Sequence, residues 1–518
     1  MNAVRGGLVL GLSVWMVAVS SLPSRADTLE RIRERGKLIF GADAEGGGPF
    51  IYPRADDPKS YQGFEYRLAE LLAGKLGVRA EFAQGQWDKL PALVERGDID
   101  IVLNGYEWTP SLADRMGTTI PYYVYQLQLL VRQDDKRFQT PADLKSQGAD
   151  KPKIAVLGAS AAENYLRREF GDAIELAIYD GSTDAMRAVE LGLDGVDATL
   201  QDLPVFAFYE DRFAGLRRLG EPVEPGYYVI LTRSDDQTLV KALNQAIVDI
   251  YADGSFPKVL AEYGLWNPLQ RQRGLLTSAQ GDFLPDPPNV SKIPPPVPSS
   301  WWDDVRSRTP FLLQAALITV VLAVCAMPLA VAAGIMIAIG RLYGPQWLKR
   351  PLGWYVEVIR GTPLVLQLYV IFFLLPEIGL SLPKLVAGVL GLALNYSAYE
   401  AEIYRAGFQA IPRGQLEAAL SLGMSRAMAI RRILVPQAFR LVIPPVMNDF
   451  IAMFKDTAVC SVITIVELSK EYYIHAQGTG RVVALGVVTA LLYLAMSYPL
   501  SVVVARMERR LAEGARHA

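Results

Sequence analysis

The residues that most often carry chemistry are scarce in this chain. His475 and His517 are its only histidines, so a metal site or catalytic base built on a histidine pair is nearly excluded; the plain reading makes one a loop residue and the other part of a frayed terminus. Cys325 and Cys460, the only cysteines, stand in apolar surroundings that suit packing rather than redox chemistry. Gly46-Gly47-Gly48 is suggestive of a phosphate cradle, but the lysine and following helix of Gly-x-x-x-x-Gly-Lys-Ser/Thr are missing there and elsewhere in the 518 residues. It reads instead as a loop at a pocket edge, and any ATP hydrolysis belongs to another chain. Glu400, Glu402 and Lys455 lie within or beside apolar stretches, where ionisable groups are costly unless they pair or face a cavity. Pairing is the plainer role and a place on a solute path the sharper one.

A different signal points to protein–protein contact. Glu417-Ala418-Ala419-Leu420-Ser421-Leu422-Gly423 is followed after nine residues by Ile433-Leu434-Val435-Pro436. The spacing puts Leu416, Ala419 and Leu420 on one face of a short helix, lets Gly423 turn the chain, and starts a second helix. Such a helix docks in a groove of another protein, a generic amphipathic loop being the alternative.

Several elements must hold these residues. Arg5, an apolar run from about Leu8 to Val19, and Ser24-Arg25-Ala26 read as a secretory signal over 1–26; the run is shorter than the ~20 residues of a spanning anchor. From about Leu29 to Phe256, β-like runs (Lys37 to Phe40, Ile99 to Val102, Ile154 to Val156) alternate with helical stretches such as Tyr66 to Leu76. This predicts an α/β unit of two lobes over 27–280, with the β-α start at Lys153 marking the second lobe. Prolines between Pro285 and Pro298 predict an extended spacer within a linker at 281–305, and Trp301-Trp302 suits a headgroup layer.

Residues 306–518 read as a membrane domain. Five apolar spans are expected: Phe311 to Ile339, Trp354 to Leu375, Leu385 to Tyr404, about Ile433 to Phe454 with Pro436, Pro444 and Pro445 inside, and Val482 to Val504. Arg341, Lys349 and Arg350, then Arg413, Arg426, Arg431 and Arg432, then Arg506, Arg509 and Arg510 follow spans one, three and five, which puts that side in the cytoplasm. An odd span count after a secretory signal agrees, leaving the soluble lobes outside and the C-terminus inside. A net charge of −2 and an isoelectric point near 6.0 give no reason to expect nucleic acid as a partner.

Two resemblances follow. Trp354-Tyr355-Val356-Glu357-Val358-Ile359-Arg360-Gly361-Thr362-Pro363-Leu364, Ala398-Tyr399-Glu400-Ala401-Glu402-Ile403-Tyr404-Arg405 and Lys455-Asp456-Thr457, with the Glu417 loop at about 413–436, resemble polar amino acid permeases of ABC importers. Gly36 to Asp43, Gly48-Pro49-Phe50, Gly63 to Tyr66, Trp87-Asp88, Gly97 to Asp100 and Pro121-Tyr122-Tyr123 resemble family-three solute-binding proteins. The implied fold is a type II, periplasmic-binding-protein-like α/β domain followed by an all-α membrane domain of five transmembrane helices. The implied work is import of amino acids or related polar solutes, not enzymatic catalysis. Glu417, Ala418, Ala419 and Gly423 would couple to an ABC ATPase dimer, which would hold the ATP and Mg; no cofactor or metal is expected here. A second permease subunit, most simply a homodimer partner, completes the pore in the inner membrane, with the receptor periplasmic.

The resemblance also assigns a ligand site. Asp202 matches the aspartate that accepts from an α-ammonium, Gly158 and Ser160 the loop that meets the carboxylate, and Asp43 and Gly105 ligand-facing positions; Phe50, Tyr52 and Tyr106 are candidate stacking rings. The family's carboxylate-gripping arginine is replaced by Leu112, leaving Arg115 one turn on as the substitute, and Glu107 stands where a Ser or Thr usually helps that arginine. Three rivals remain: a ligand-gated channel, an exported lyase on the same receptor fold, and a sensor that has lost transport.

Overall fold

The computed structural model describes residues 27–45, 48–54, 57, 60–145, 151–158, 160–179, 181–272, 300–479 and 481–516. The expected leader at 1–26, the proline-rich segment, Gly46-Gly47 and His517 lie outside the described residues.

The receptor half contains, in chain order, β1 (Lys37–Ala42), β2 (Tyr52–Pro53), β3 (Tyr61–Gln62), β4 (Arg79–Gln84), β5 (Ile101–Val102), β6 (Gly117–Thr118), β7 (Tyr123–Arg132), β8 (Lys153–Leu157), β9 (Glu175–Tyr179), β10 (Ala198–Asp202), β11 (Leu216–Arg218), β12 (Val223–Tyr228) and β13 (Leu231–Thr232). One lobe carries a sheet ordered β4-β1-β5-β13-β6, with β1 parallel to β4 and β5. The other is ordered β11-β7-β10-β8-β9, with β12 also paired to β7 and β8 parallel to β9 and β10. The chain changes lobe between β6 and β7 and returns between β12 and β13. The crossing therefore comes well before Lys153. Its strand, Tyr-Val-Tyr-Gln-Leu-Gln-Leu-Leu-Val-Arg, is buried along nearly its whole length, so it lacks the alternation that marks a half-exposed strand.

This topology sends the carboxyl ends of β1, β5, β8 and β10 toward the crevice between lobes, the usual ligand position in open α/β sheets. Buried leucines and aromatics such as Leu38, Phe40, Phe64, Leu68 and Leu72 fix the first lobe, and Ile154, Val156, Met186 and Val189 the second. Each fully buried side chain of this size is worth about 1.5–3 kcal/mol.

The membrane half is helical. Trp301–Tyr343 is 43 residues long and Val482–Arg509 is apolar over a full span; these two helices are long and apolar enough to cross a bilayer by themselves. The helix Trp301–Tyr343 begins inside the expected linker, and at 1.5 Å per residue it reaches about 65 Å against a ~30 Å hydrocarbon layer. The expected single span from Trp354 to Leu375 is instead broken: helix Gln346–Gly361 stops at Thr362-Pro363 and resumes at Leu364, the pair bent by 108°. Pro363 explains the break, since it disfavours helical backbone at Thr362. Helices Lys384–Gln409 and Val435–Asp456 occupy the third and fourth expected positions, with Pro444 and Pro445 inside the latter. Close packing draws Lys384–Gln409 against Trp301–Tyr343: a Cβ on Gly334 would stand 2.5 Å from that of Glu400.

The two halves meet. Arg96 lies 3.7 Å from the centroid of the Phe372 ring and donates to the Leu382 carbonyl at 3.2 Å, while Lys89 sits 5.5 Å from the Tyr369 ring. One buried apolar cluster includes Leu90, Leu93 and Val94 of the receptor and Leu368, Phe372 and Phe373 of the membrane half.

Candidate functional site: an acid-lined cleft between the lobes

Asp43 follows the last residue of β1, Asn104, Gly105 and Glu107 follow β5, Ser160 follows β8, and Asp202 ends β10. All six line one cleft, together with Glu45, Phe50, Trp87, Asp184 and Gln201. Gly105 is needed as glycine: its φ is +63°, and a Cβ there would press the Phe50 ring at 3.0 Å.

Each acid is held by a different set of donors. Asp43 accepts from Gln84 Nε2 at 2.6 Å and from the backbone N–H groups of Glu45 and Trp87, both at 3.1 Å. Asp202 accepts from the Tyr228 hydroxyl. Glu107 Oε1 accepts from the N–H of Ala161 at 3.1 Å, at the start of the helix Ala161–Glu169. Ser160 caps that helix through its hydroxyl, which accepts from Glu163 N at 3.2 Å, and also donates to the Leu157 carbonyl. Burial, and then the neighbouring Asp202 charge, raise the Glu107 carboxyl above its usual range; burial raises Asp202, which Tyr228 partly offsets. Burial likewise lifts Glu65 to about 8, against the pull of its hydrogen bonds from Tyr122 and the Gly105 N–H.

The other expected residues separate. Tyr106 stacks on Trp87 at 4.8 Å and 11° and lines an adjoining cleft with Leu112 and Arg115. Arg115 is exposed and borders that second cleft, which shares Trp87 and Glu107 with the first. Gly158 is not among the cleft-lining residues; its N–H donates to the Tyr179 carbonyl and its missing Cβ leaves room for Ile178. Tyr52 is core, packed on Phe208 at 5.1 Å. Residues not singled out in sequence are Glu45, Asn104, Asp184 and Tyr228. Glu45 stands two positions from Asp43, a detectable signal. Tyr228 returns from the far end of the receptor, and its backbone bridges to Glu107.

The Glu417 loop follows the C-terminal end of helix Lys384–Gln409, whereas the receptor contact at Leu382 precedes the start of that helix. Helix Arg413–Ser421 ends at Leu422, and Gly423 takes φ +81°. Ala419 is buried and Leu416 partly so against Leu434 and Ala438, but Leu420 is 42 % exposed and Leu422 83 % exposed. The expected inward face thus loses Leu420, which points outward beside exposed Glu417 and Ala418. His475, expected in a loop, is a buried helical residue 2.9 Å from Glu471. Glu402 pairs with Arg341 and, at 2.6 Å, with Arg405, whereas Glu400 is fully buried with no cation paired to it among the described residues, and Lys455 is exposed.

Comparison with known proteins agrees with this two-part plan. Residues 38–265 match the bacterial extracellular solute-binding proteins of family 3, and residues 330–513 match the binding-protein-dependent transport system inner membrane component. The L-cystine transport system permease TcyB of Bacillus subtilis (strain 168) is 40 % identical over 167 residues, which is 31 % of this chain and 71 % of that protein. The glutamine transport system permease GlnP of Escherichia coli (strain K12) is 32 % identical over 213 residues, 40 % of this chain and 97 % of the relative. The chain belongs to the amino acid ABC transporter permeases and carries a solute-binding domain of its own. Among solved structures, the ancestral amino acid-binding protein AncCDT-1, a precursor of cyclohexadienyl dehydratase, is 26 % identical with a TM-score of 0.41, covering 46 % of this chain and 99 % of that one. In this permease the cleft belongs to the solute-binding family, and the matched domains are transport components rather than enzymes.

Proposed function

We propose that this chain is the receptor and permease part of an ATP-driven importer whose solute is a small amine-rich cation, either a dibasic amino acid or a diamine. The supporting observation is the cleft lining: Asp43, Glu45, Glu107, Asp184 and Asp202 border it, and among the described residues no lysine or arginine lines it, Lys470 reaching Asp43 and Glu45 from outside the lining. An ammonium or guanidinium paired with a partly desolvated carboxylate gains about 1.5–3 kcal/mol per charged hydrogen bond, whereas an anion there meets unbalanced negative charge. Glu107 also takes the N–H of Ala161, next to Ser160 in the loop that the resemblance assigns to a ligand carboxylate. Phe50 and Trp87 supply aromatic faces for a cation. A second reading, an ordinary zwitterionic amino acid clamped by Arg115, is favoured only by the nearness of the adjoining cleft.

In the proposed cycle the receptor closes on the solute outside the inner membrane and docks on its own membrane half. The tether holds it at an effective concentration in the millimolar range. A separate ATPase dimer, binding ATP and Mg, engages exposed Glu417, Ala418, Leu420 and Leu422 in the cytoplasm and switches the pore. A second copy of this chain completes that pore, with both C-termini cytoplasmic.

Reconstitution with the co-purifying ATPase tests this: ATP-dependent uptake of radiolabelled L-arginine or 1,4-diaminobutane into proteoliposomes is expected. Ala418→Asp should abolish uptake while leaving solute binding intact. Uptake unaffected by Ala418→Asp would refute the coupling role.

A further inference from the structure

The helix Leu468–Thr479 of the membrane half carries a side chain that reaches two acids of the cleft lining. Lys470, whose side chain is only 5 % exposed, donates to Glu45 and stands 3.6 Å from Asp43. Both acids line the solute cleft. A buried ammonium needs such partners, so its seat is specific. The backbone that carries it is tied to the spanning helices: Glu467 accepts from the N–H of Ser469 at 3.0 Å and of Lys470 at 2.9 Å, and from the Tyr493 hydroxyl at 3.0 Å, while Thr319 accepts from Leu468 N at 3.3 Å. Lys470 therefore moves with Thr319 and Tyr493, not with the receptor.

We propose that Lys470 is a built-in competitor for the solute: on docking, its ammonium takes the Asp43–Glu45 pair that a cationic group of the solute would otherwise hold, so that docking and release become one event. This deepens the reading of the cleft as a cation site and rests on it. With Lys470 on Glu45 and 3.6 Å from Asp43, a cationic group of the solute finds that pair already engaged and must compete for it. A rearrangement of the spanning helices that withdraws Lys470 restores the receptor's affinity for the next solute. The competitor acts only on groups that resemble it, which makes release selective for amines.

The test is calorimetric titration of the full chain in lipid nanodiscs with L-arginine, 1,4-diaminobutane and L-glutamine, for the wild type, Lys470→Met and Lys470→Arg. The expected result is at least tenfold tighter binding of the arginine or diamine probe by Lys470→Met, no change for glutamine, and return to wild-type affinity in Lys470→Arg. Tighter binding of glutamine as well would uphold competition for the shared α-ammonium while removing the cationic solute class. No tightening for any probe, whether or not one binds, would overturn the competitor role and leave Lys470 a structural clamp; the probe preferred by the wild type then judges the solute class separately.

Discussion

Two sites in this molecule bury charge in opposite ways. Near one end of the membrane helices, Glu402 is bracketed by Arg341 and Arg405, so the acid and its neighbours satisfy each other inside one domain. In the receptor cleft, among the described residues, five carboxylates converge with no cation in the lining, and the ammonium of Lys470, which reaches Asp43 and Glu45, comes from the other domain. The first arrangement holds a structure together. In the proposed reading the second leaves Glu107 and Asp202 to a cationic group of the solute and the Asp43–Glu45 pair to that solute or to Lys470.

Mutations can separate the two roles, starting with the greatest loss. Asp202→Asn removes a cation partner while keeping the Tyr228 contact, and should weaken cationic solute binding about a hundredfold, equal to about 2.7 kcal/mol, with little change in melting temperature. Titration and thermal denaturation of the same preparation read both. Glu402→Gln should do the reverse. It leaves Arg341 and Arg405 facing each other and should cost about 2 kcal/mol of stability, with solute affinity unchanged.

Acidity sharpens the contrast further. Glu107 and Asp202 hold their protons above the usual carboxylate range because they are buried together. A bound cation favours their ionised forms, so binding expels protons and affinity rises with pH. The window opens above the ordinary carboxylate range and closes once both acids have ionised in the empty cleft. Affinity should grow about tenfold from pH 5.5 to 7.5, and a flat profile would show that neither acid changes ionisation on binding. The smallest effect belongs to the loop proposed to couple to the ATPase: Gly423→Ala, at φ +81° with open space around it, should cost about 1 kcal/mol locally and slow uptake without altering binding.

How much of this the sequence revealed depends on the range of the interaction. Local patterns were legible: β1 and β8, the helix at Phe64–Leu76, the Gly423 turn and the long apolar runs all follow from short-range periodicity. Asp43, Phe50, Gly105, Glu107, Ser160 and Asp202 were singled out through the resemblance to family-three solute-binding proteins, and the structure brings them to one cleft. Three features were missed for physical reasons. The lobe crossing at β7 hides in a strand buried almost throughout; the break at Thr362-Pro363 was absorbed into one apolar run; and the short helix turns Leu416 and Ala419 inward while Leu420 stays exposed. Lys470 was beyond local reading altogether, since it meets Glu45 only after two domains fold and dock. Arg115, chosen as the nearest replacement cation, borders the second cleft and is not among the lining residues of the first.

The most direct measurement is the order of affinities of the nanodisc-embedded full chain for L-arginine, 1,4-diaminobutane, L-glutamine and L-glutamate at pH 7.5, by calorimetry. A cleft with unbalanced carboxylates should bind arginine or the diamine at least tenfold more tightly than glutamine, should not bind glutamate, and should lose the preference in Asp202→Asn. Tightest binding of glutamine or glutamate by the wild type would contradict a cation-selecting cleft.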